Sequence, residues 1–480
     1  MADKISVLFT ASEADPLIKV GGLADVAGSL PKAILNLKSQ SREVDIRLAI
    51  PYHAGIKLSK GQVEHLVDFG VPYRDELVPV KIFSTKLEDL TVYLISSEWI
   101  ASSEKVYDLD LDHSARKYLL FSKAVALLPE ALGWKVNILH ANDWHTALSI
   151  PFIQAATGNP QKTIISIHNL PFMGSEARGM LADFHLQPST DKRLPAWARE
   201  LPLPMASSAA DQVLTVSPTY AREIMTPEFG CDLDSFYVSI KDKVSGILNG
   251  IDLEIWDPAA DPLLKSNFDL ENRNLRSQNK VYLQQKFNLE LREDLPLLVV
   301  VSRFDRQKGI DLVFESLKGL IDTPWQAILL GSGDPKLEQL SQELAQALPG
   351  RVHVENCYDS ALSHQLYAGG DILLMPSRYE PCGLAQMIAM RYGCIPLACA
   401  TGGLRDSIIP FGTDPASANG FLFNDASGEA LSLALSTALD VYGQRDAWLK
   451  IQENAMKADF SWDKSALEYL KLYERLEKGL

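Results

Sequence analysis

Hydrophobic positions along the chain follow two alternating patterns. Short apolar runs bounded by turn residues, Ile5 to Phe9, Ile46 to Ile50, Val92 to Ile95, Ile138 to Ala141, Thr163 to Ile167 and Val213 to Val216, read as buried strands. Between them lie longer stretches in which apolar residues recur every three or four positions, the spacing of a helix with one face on a core. This alternation predicts a parallel sheet covered by helices on both faces, with right-handed crossovers. A second series follows at Leu297 to Val301, Ala327 to Leu330, Arg351 to Val354, Ile372 to Met375 and Ile395 to Ala398. The chain is therefore expected to hold two Rossmann-like α/β halves.

Several helix ends are readable. Asp334 can cap, and Pro335 can start, a helix whose Leu337, Leu340, Leu344 and Leu348 form one stripe. The last helix opens at Ser461 and carries Trp462, Ala466, Tyr469, Leu470, Tyr473 and Leu476 on one side, a stripe that must be buried. Between the halves, Asn249-Gly250-Ile251-Asp252, Trp256-Asp257-Pro258 and Asp261-Pro262 make a turn-rich passage suited to a hinge. The expected domains are 1–248, 249–456 and a helical segment 457–480. No repeat of solenoid period and no low-complexity tract interrupts them.

Composition narrows the classes. At 480 residues the chain exceeds one ordinary core, and its 46% hydrophobic content is ample for packed ones. A formal charge of -15 argues against a nucleic-acid or anionic-membrane surface, both of which need basic footprints. Cys231, Cys357, Cys382, Cys394 and Cys399 lack paired spacing, which fits reduced thiols in a cytosol. Met1-Ala2-Asp3-Lys4 leads straight into a strand-length apolar run without a basic leader, as expected of a cytoplasmic bacterial protein. No stretch approaches roughly 18 consecutive apolar residues, so no membrane span is expected.

The candidate chemistry lies where strands end, the edge at which open α/β sheets bind ligands. After the first strand comes Lys19-Val20-Gly21-Gly22-Leu23-Ala24-Asp25-Val26: paired glycines allow close backbone approach to a ligand, and the lysine offers charge for a phosphate. It is not the three-glycine dinucleotide fingerprint. A plain Gly-Gly turn with a solvated lysine would look the same. His140-Ala141-Asn142-Asp143-Trp144-His145 and Ile167-His168-Asn169 put polar groups on two more strand ends. Asp143, His145 and His168 lack the helical spacing of a metal set. Asp108, Asp110 and Asp112, or Asp232 with Asp234, follow no strand end and read as solvated acidic loops.

In the second half, Arg303 and Lys308 in Val301-Ser302-Arg303-Phe304-Asp305-Arg306-Gln307-Lys308-Gly309 suit a diphosphate, the guanidinium bidentately and the ammonium as a point charge. Glu380 sits in the turn between the strand ending near Pro376 and an apolar helical run. Its neighbours Pro381-Cys382-Gly383-Leu384 can offer helix-start N–H groups. Thr401-Gly402-Gly403-Leu404 reads as another backbone cradle.

Taken together, these motifs, with Val216-Ser217-Pro218-Thr219-Tyr220-Ala221 and Leu248-Asn249-Gly250-Ile251-Asp252, resemble the bacterial glycogen synthase and plant starch synthase family, over nearly the whole chain. The resemblance implies a GT-B fold: two Rossmann-like domains facing a deep inter-domain cleft, with the C-terminal helix crossing back to the first. It implies a retaining glucosyltransferase that moves glucose from a nucleoside-diphosphate glucose, ADP-glucose by its relatives, to the non-reducing end of an α-1,4-glucan. By position, Arg303 and Lys308 match the phosphate-binding cations and Glu380 the acid near the donor sugar. Asp143 and His168 match groups around the transferred glucose. Lys19, Gly21 and Gly22 match the donor loop of the first domain, Tyr358 an aromatic for the nucleotide base, and Asn249 a cleft residue. Cys382, Gly383, Leu384, Thr401, Gly402 and Gly403 belong to the nucleotide-sugar contacts. No cofactor and no metal are expected.

Three places depart from the family pattern, one of them the proline-rich segment Arg193 to Ala210, which lacks the usual shape. Pro171-Phe172-Met173-Gly174 stands where the family shows Ala-Tyr-Gln-Gly, and Ala385 where threonine is common. The alternatives on the same motifs are a non-catalytic glucan-binding scaffold, a glucan phosphorylase, for which no cofactor lysine stands out, and an oxidoreductase, which lacks its fingerprint.

Overall fold

The computed structural model describes residues 4–37, 43–59, 61–156 and 161–479. The leader reading rests largely on Met1 to Asp3, which lie outside the described residues. The chain forms two compact units, Met1–Gly250 with Trp462–Leu480, and Ile251–Ser461. The divisions thus fall at Gly250 and Ser461, against the expected 248 and 456.

In the first unit the strands are β1 (Ile5–Thr10), β2 (Val44–Pro51), β3 (Glu64–Tyr73), β4 (Glu76–Leu87), β5 (Leu90–Ser96), β6 (Ile138–Asn142), β7 (Lys162–Ile167), β8 (Gln212–Thr215) and β9 (Val244–Gly246). They form one nine-stranded sheet in the order β3-β4-β5-β2-β1-β6-β7-β8-β9. All pairs are parallel except β3-β4 and β4-β5. Every expected strand of this half is present. The hairpin β3-β4 is an addition, and its reason is physical. In β4, Val78, Val80 and Ile82 are buried while Pro79 and Lys81 are exposed, so the strand alternates instead of running apolar. The chain leaves β1 for β2 on one side and reaches β6 on the other, which makes the β1/β6 edge a topological switch point.

In the second unit β10 (Leu297–Val301), β11 (Gln326–Leu330), β12 (Val352–Glu355), β13 (Ile372–Met375), β14 (Ile395–Cys399) and β15 (Phe421–Phe423) form a parallel sheet in the order β12-β11-β10-β13-β14-β15. Here the switch point lies between β10 and β13. The helix Pro335–Ala347 has its cap as expected, Asp334 accepting from the Lys336 N–H at 2.8 Å. The turn-rich passage after Ile251 belongs to this unit and is pinned to it. Asp261 Oδ2 accepts from the Tyr392 hydroxyl at 2.6 Å and pairs with His364 Nδ1 at 2.7 Å, and the Trp256 ring stacks on His364 at 4.0 Å.

The C-terminal helix, Trp462–Glu477, buries Trp462, Ala466, Tyr469, Leu472, Tyr473 and Leu476 in the first unit's core, beside Ile5, Val26 and Leu30. Its polar anchor is His140, whose Nδ1 meets the Tyr473 hydroxyl at 2.8 Å and whose Nε2 meets Ser166 Oγ at 2.7 Å. Burial holds this imidazole's pKa down to about 3, so it stays neutral. The histidine that opens the His140-to-His145 motif therefore ties the last helix to the sheet. Replacing Tyr473 by Phe leaves His140 Nδ1 buried without its partner. Urea denaturation should show a loss of about 1–3 kcal/mol, with the rest of the fold retained.

Candidate active site

In the first unit, functional groups gather where β1, β6 and β7 end. Asp143 follows β6 with φ 53 and ψ -178, a region nearly closed to side-chain-bearing residues, at a cost on the order of 1–3 kcal/mol. Its Oδ1 accepts from the His168 N–H at 2.8 Å. Burial raises its pKa to about 7 against the stabilising N–H groups of His168 and Asn169, and the nearby Glu13 carboxylate pushes the same way. The Asn142 amide donates to Thr10 O at 2.9 Å, which directs its Oδ1 to His168 Nε2 at 2.8 Å. His168 therefore carries its proton on Nε2, leaves Nδ1 as an acceptor, and is held neutral by burial, with a pKa near 4. Asn169 Oδ1 and Asn249 Oδ1 are buried with no hydrogen-bond partner among the described residues. The unmet Asn169 acceptor beside Asp143 is what a hydroxyl-bearing ligand would satisfy.

The loop after β1 differs from an open phosphate cradle. Glu13, 1% exposed, accepts from the Val20 N–H at 2.5 Å, the Gly21 N–H at 3.1 Å and the Tyr107 hydroxyl at 2.9 Å. Lys19 Nζ pairs with Asp25 at 2.5 Å and Asp15 at 3.1 Å. Burial alone would lower the Lys19 pKa, and these two carboxylates reverse that and raise it. Gly22 begins the helix Gly22–Asn36. Sequence reasoning missed Glu13 and Tyr107. Glu13 lies three residues past β1, where the strand-end rule finds it. Tyr107 comes from a long connection after β5 and carries no such signal.

In the second unit, β10 and β13 are neighbours, so the turns that follow them meet. Lys308 Nζ pairs with Glu380 Oε2 at 2.6 Å, and Ser377 Oγ donates to the same oxygen at 3.0 Å. Arg378 clamps Asp311 with two bonds of 2.8 and 2.7 Å, and its backbone N–H donates to Gln307 O. At Gly309, φ is 69 and an added Cβ would stand 2.1 Å from Pro376 O, so any side chain would prise these turns apart. Arg303 remains open: its side chain is 69% exposed beside Asp305 at 3.2 Å.

The remaining residues divide. The Gly403 N–H goes to Glu380 O at 3.2 Å, and a Cβ on Gly402 would lie 2.0 Å from that oxygen. The Thr401-Gly402-Gly403 turn thus packs under Glu380 and is not the open cradle expected. Cys382 is buried, and the Gln386 amide closes the turn by donating to Cys382 O and Gly383 O, just past Leu384. Tyr358 is 86% exposed beyond β12, apart from this cluster. Phe172, in the departing segment, is exposed four residues after His168.

No group of three or more His, Cys, Asp or Glu placed to hold a metal occurs among the described residues. The His145 ring is packed against Trp144 and Tyr118. Asp110 is exposed, as expected of a solvated acid, whereas Asp108 is not. Asp108 is ion-paired with the buried Lys117 and with His113, and Asp110 caps the helix Leu111–Ala131. No helix is long and apolar enough to cross a membrane among the described residues.

Asp143 has a measurable thermodynamic signature. Its pKa rises from 3.8 to about 7 on folding, so the folded state favours the protonated form and stability falls as pH rises between those values. Asp143→Asn should raise the thermal midpoint at pH 8, with the advantage shrinking toward pH 4. A calorimetric difference that does not vary with pH would contradict this burial.

The comparisons with known proteins agree with this geometry. Residues 6–238 match the family model described as starch synthase catalytic domain, and residues 282–455 that of glycosyl transferases group 1. A glycogen synthase of Streptococcus gordonii is 40% identical over 488 residues, covering 98% of this chain and 100% of the relative, and one from Streptococcus pneumoniae is 38% identical with the same coverage. The solved catalytic domain of starch synthase IV from Arabidopsis thaliana, bound to ADP and acarbose, has a TM-score of 0.87 at 31% identity, covering 99% of both chains. Sucrose-phosphate synthase from Thermosynechococcus elongatus, at 18% identity and a TM-score of 0.63 over 99% of this chain and all of its own, shares the fold. With two Rossmann-like parallel-sheet units of GT-B type, the chain belongs to the glycogen synthase and starch synthase family of glycosyltransferases.

Proposed function

We propose that the protein transfers glucose from ADP-glucose to the non-reducing end of an α-1,4-glucan, with retention of configuration and without a metal or other cofactor. The observation that carries this reading is the intact Arg303, Lys308 and Glu380 group in a chain that aligns end to end with glycogen synthases. ADP and acarbose in the starch synthase IV domain support the nucleotide and the glucan. Five free cysteines suit a reducing cytosol.

The reaction must break the bond between glucose C1 and the diphosphate while negative charge grows on the leaving phosphate. Arg303, already exposed, and Lys308, already beside Glu380, supply fixed positive charge there. Glu380 keeps its place through Ser377 when Lys308 turns to phosphate. Asp143 and the Nδ1 acceptor of His168 orient the sugar, and Asn169 and Asn249 offer their unmet carbonyls to hydroxyls. The glucan O4 attacks from the face the diphosphate leaves: the new C1–O4 bond forms, and the acceptor's proton passes to a departing phosphate oxygen. No carboxylate nucleophile is needed. A trapped glucosyl adduct on Glu380 or Asp143 would replace this route with a covalent one.

The first test is glucose transfer to glycogen from ADP-glucose and UDP-glucose with no added metal. Transfer from ADP-glucose is expected, and Lys308→Ala should lower turnover on the order of a hundredfold. A folded protein that binds glycogen but transfers from neither donor would be a scaffold. With Asp143 needed as carboxylate, turnover should fall as pH drops through about 7, and a flat profile from pH 5 to 8 would remove Asp143 from that role.

A further inference from the structure

Glu13 is a buried acid that the reaction above does not use, and it sits at the centre of a network. His53 Nε2 meets Ser12 O at 2.8 Å, Ser12 Oγ meets the Tyr107 hydroxyl at 3.1 Å, and that hydroxyl donates to Glu13 at 2.9 Å. From Glu13 the network ends on the backbone of Val20 and Gly21, the turn that follows Lys19. Burial raises the Glu13 pKa, and the three donors from Val20, Tyr107 and Gly21 work against that rise by favouring the carboxylate. We propose that Glu13 is a positioning residue for donor binding: it locks the Val20–Gly21 turn, and so sets Lys19, and its charge conditions Asp143 at the neighbouring strand end.

Three features of the site agree. Lys19 has a short side-chain range once the turn is fixed, because Asp15 and Asp25 flank its ammonium from both sides. The groups facing Glu13 are the neutral Tyr107 hydroxyl from the connection after β5, which donates to it, and Asp25 from the helix Gly22–Asn36; burial opposes its ionisation most and Asp25 adds to that. Those around Asp143 are Glu13, Tyr107 and the neutral His168, so Glu13 is the anion whose removal changes the field at Asp143. A carboxylate needed only to cap the turn would be replaceable by an amide without an effect on Asp143.

This inference rests on the glucosyl-transfer reading, and the experiment separates the two. Wild type, Glu13→Gln and Tyr107→Phe are assayed for ADP-glucose KM, glucan KM and the pH profile of kcat. Glu13→Gln keeps the shape and removes the charge. It should raise the ADP-glucose KM about tenfold, leave the glucan KM unchanged, and move the acidic limb to lower pH. Tyr107→Phe, which removes one donor from the carboxylate, should raise the ADP-glucose KM in the same direction by less, and carries the test alone if the first variant does not fold. If the wild type transfers glucose while both variants keep its donor KM and pH limb, the role of Glu13 falls and the function stands. A rise in glucan KM alone would make Glu13 an acceptor contact and overturn the proposal. Absence of transfer in the wild type would overturn the function, and with it this use of Glu13.

Discussion

The constraint on which the site depends is the direction of parallel strands. In each unit two neighbouring strands, β1 with β6 and β10 with β13, send their chains to opposite sides of the sheet, and the turns at their C-terminal ends are left facing one another. Glu13, Asp143 and His168 gather at one such edge, Lys308 and Glu380 at the other. The helices that follow these turns fix their geometry, and the lack of a side chain at Gly309 lets one turn rest on the carbonyl of the next. Residues far apart in sequence, 308 and 380, meet because sheet register brings Leu298 opposite Ile372.

Electrostatics then decides what these edges do at rest. The chain carries a formal charge of -15, yet the cations at both edges are neutralised locally: Lys19 by Asp15 and Asp25, Lys308 by Glu380, Arg303 by Asp305. The partly buried Lys308–Glu380 pair is completed by Ser377, which gives Glu380 a further donor. Each of these cations thus rests against a carboxylate of the chain itself. The Val20 and Gly21 N–H groups are different, since Glu13 already holds them.

Much of this was legible in the sequence because buried parallel strands leave continuous apolar runs, and their ends can be searched for polar residues. That search found Asp143, His168, Arg303, Lys308 and Glu380. It passed over the hairpin β3-β4, whose alternating exposure leaves no run, and Tyr107, which reaches Glu13 across 94 residues. It also took the Gly402-Gly403 pair for an open cradle, because sequence shows that a turn has glycines but not which carbonyl approaches them. Here that carbonyl belongs to Glu380. The His140 motif shows the same limit: a polar strand-end residue reads as functional, and only packing shows that its two nitrogens hold Tyr473 and Ser166.

What separates Asp143 from His140 is strain. Both are buried polar residues at or beside the end of β6, and burial shifts both toward the neutral form. His140 has ordinary backbone geometry and two matched partners, so its burial is stable structure. Asp143 combines a costly backbone conformation with a carboxylate whose ionisation is disfavoured by burial first and by the nearby Glu13 second, which together raise its pKa to about 7. A fold keeps such a residue only where the surroundings over-determine it. The N–H groups of His168 and Asn169 do so here by aiming two donors at one carboxylate oxygen. Strain and a raised pKa thus coincide at the end of β6, and that coincidence distinguishes Asp143 from His140, whose burial is structural.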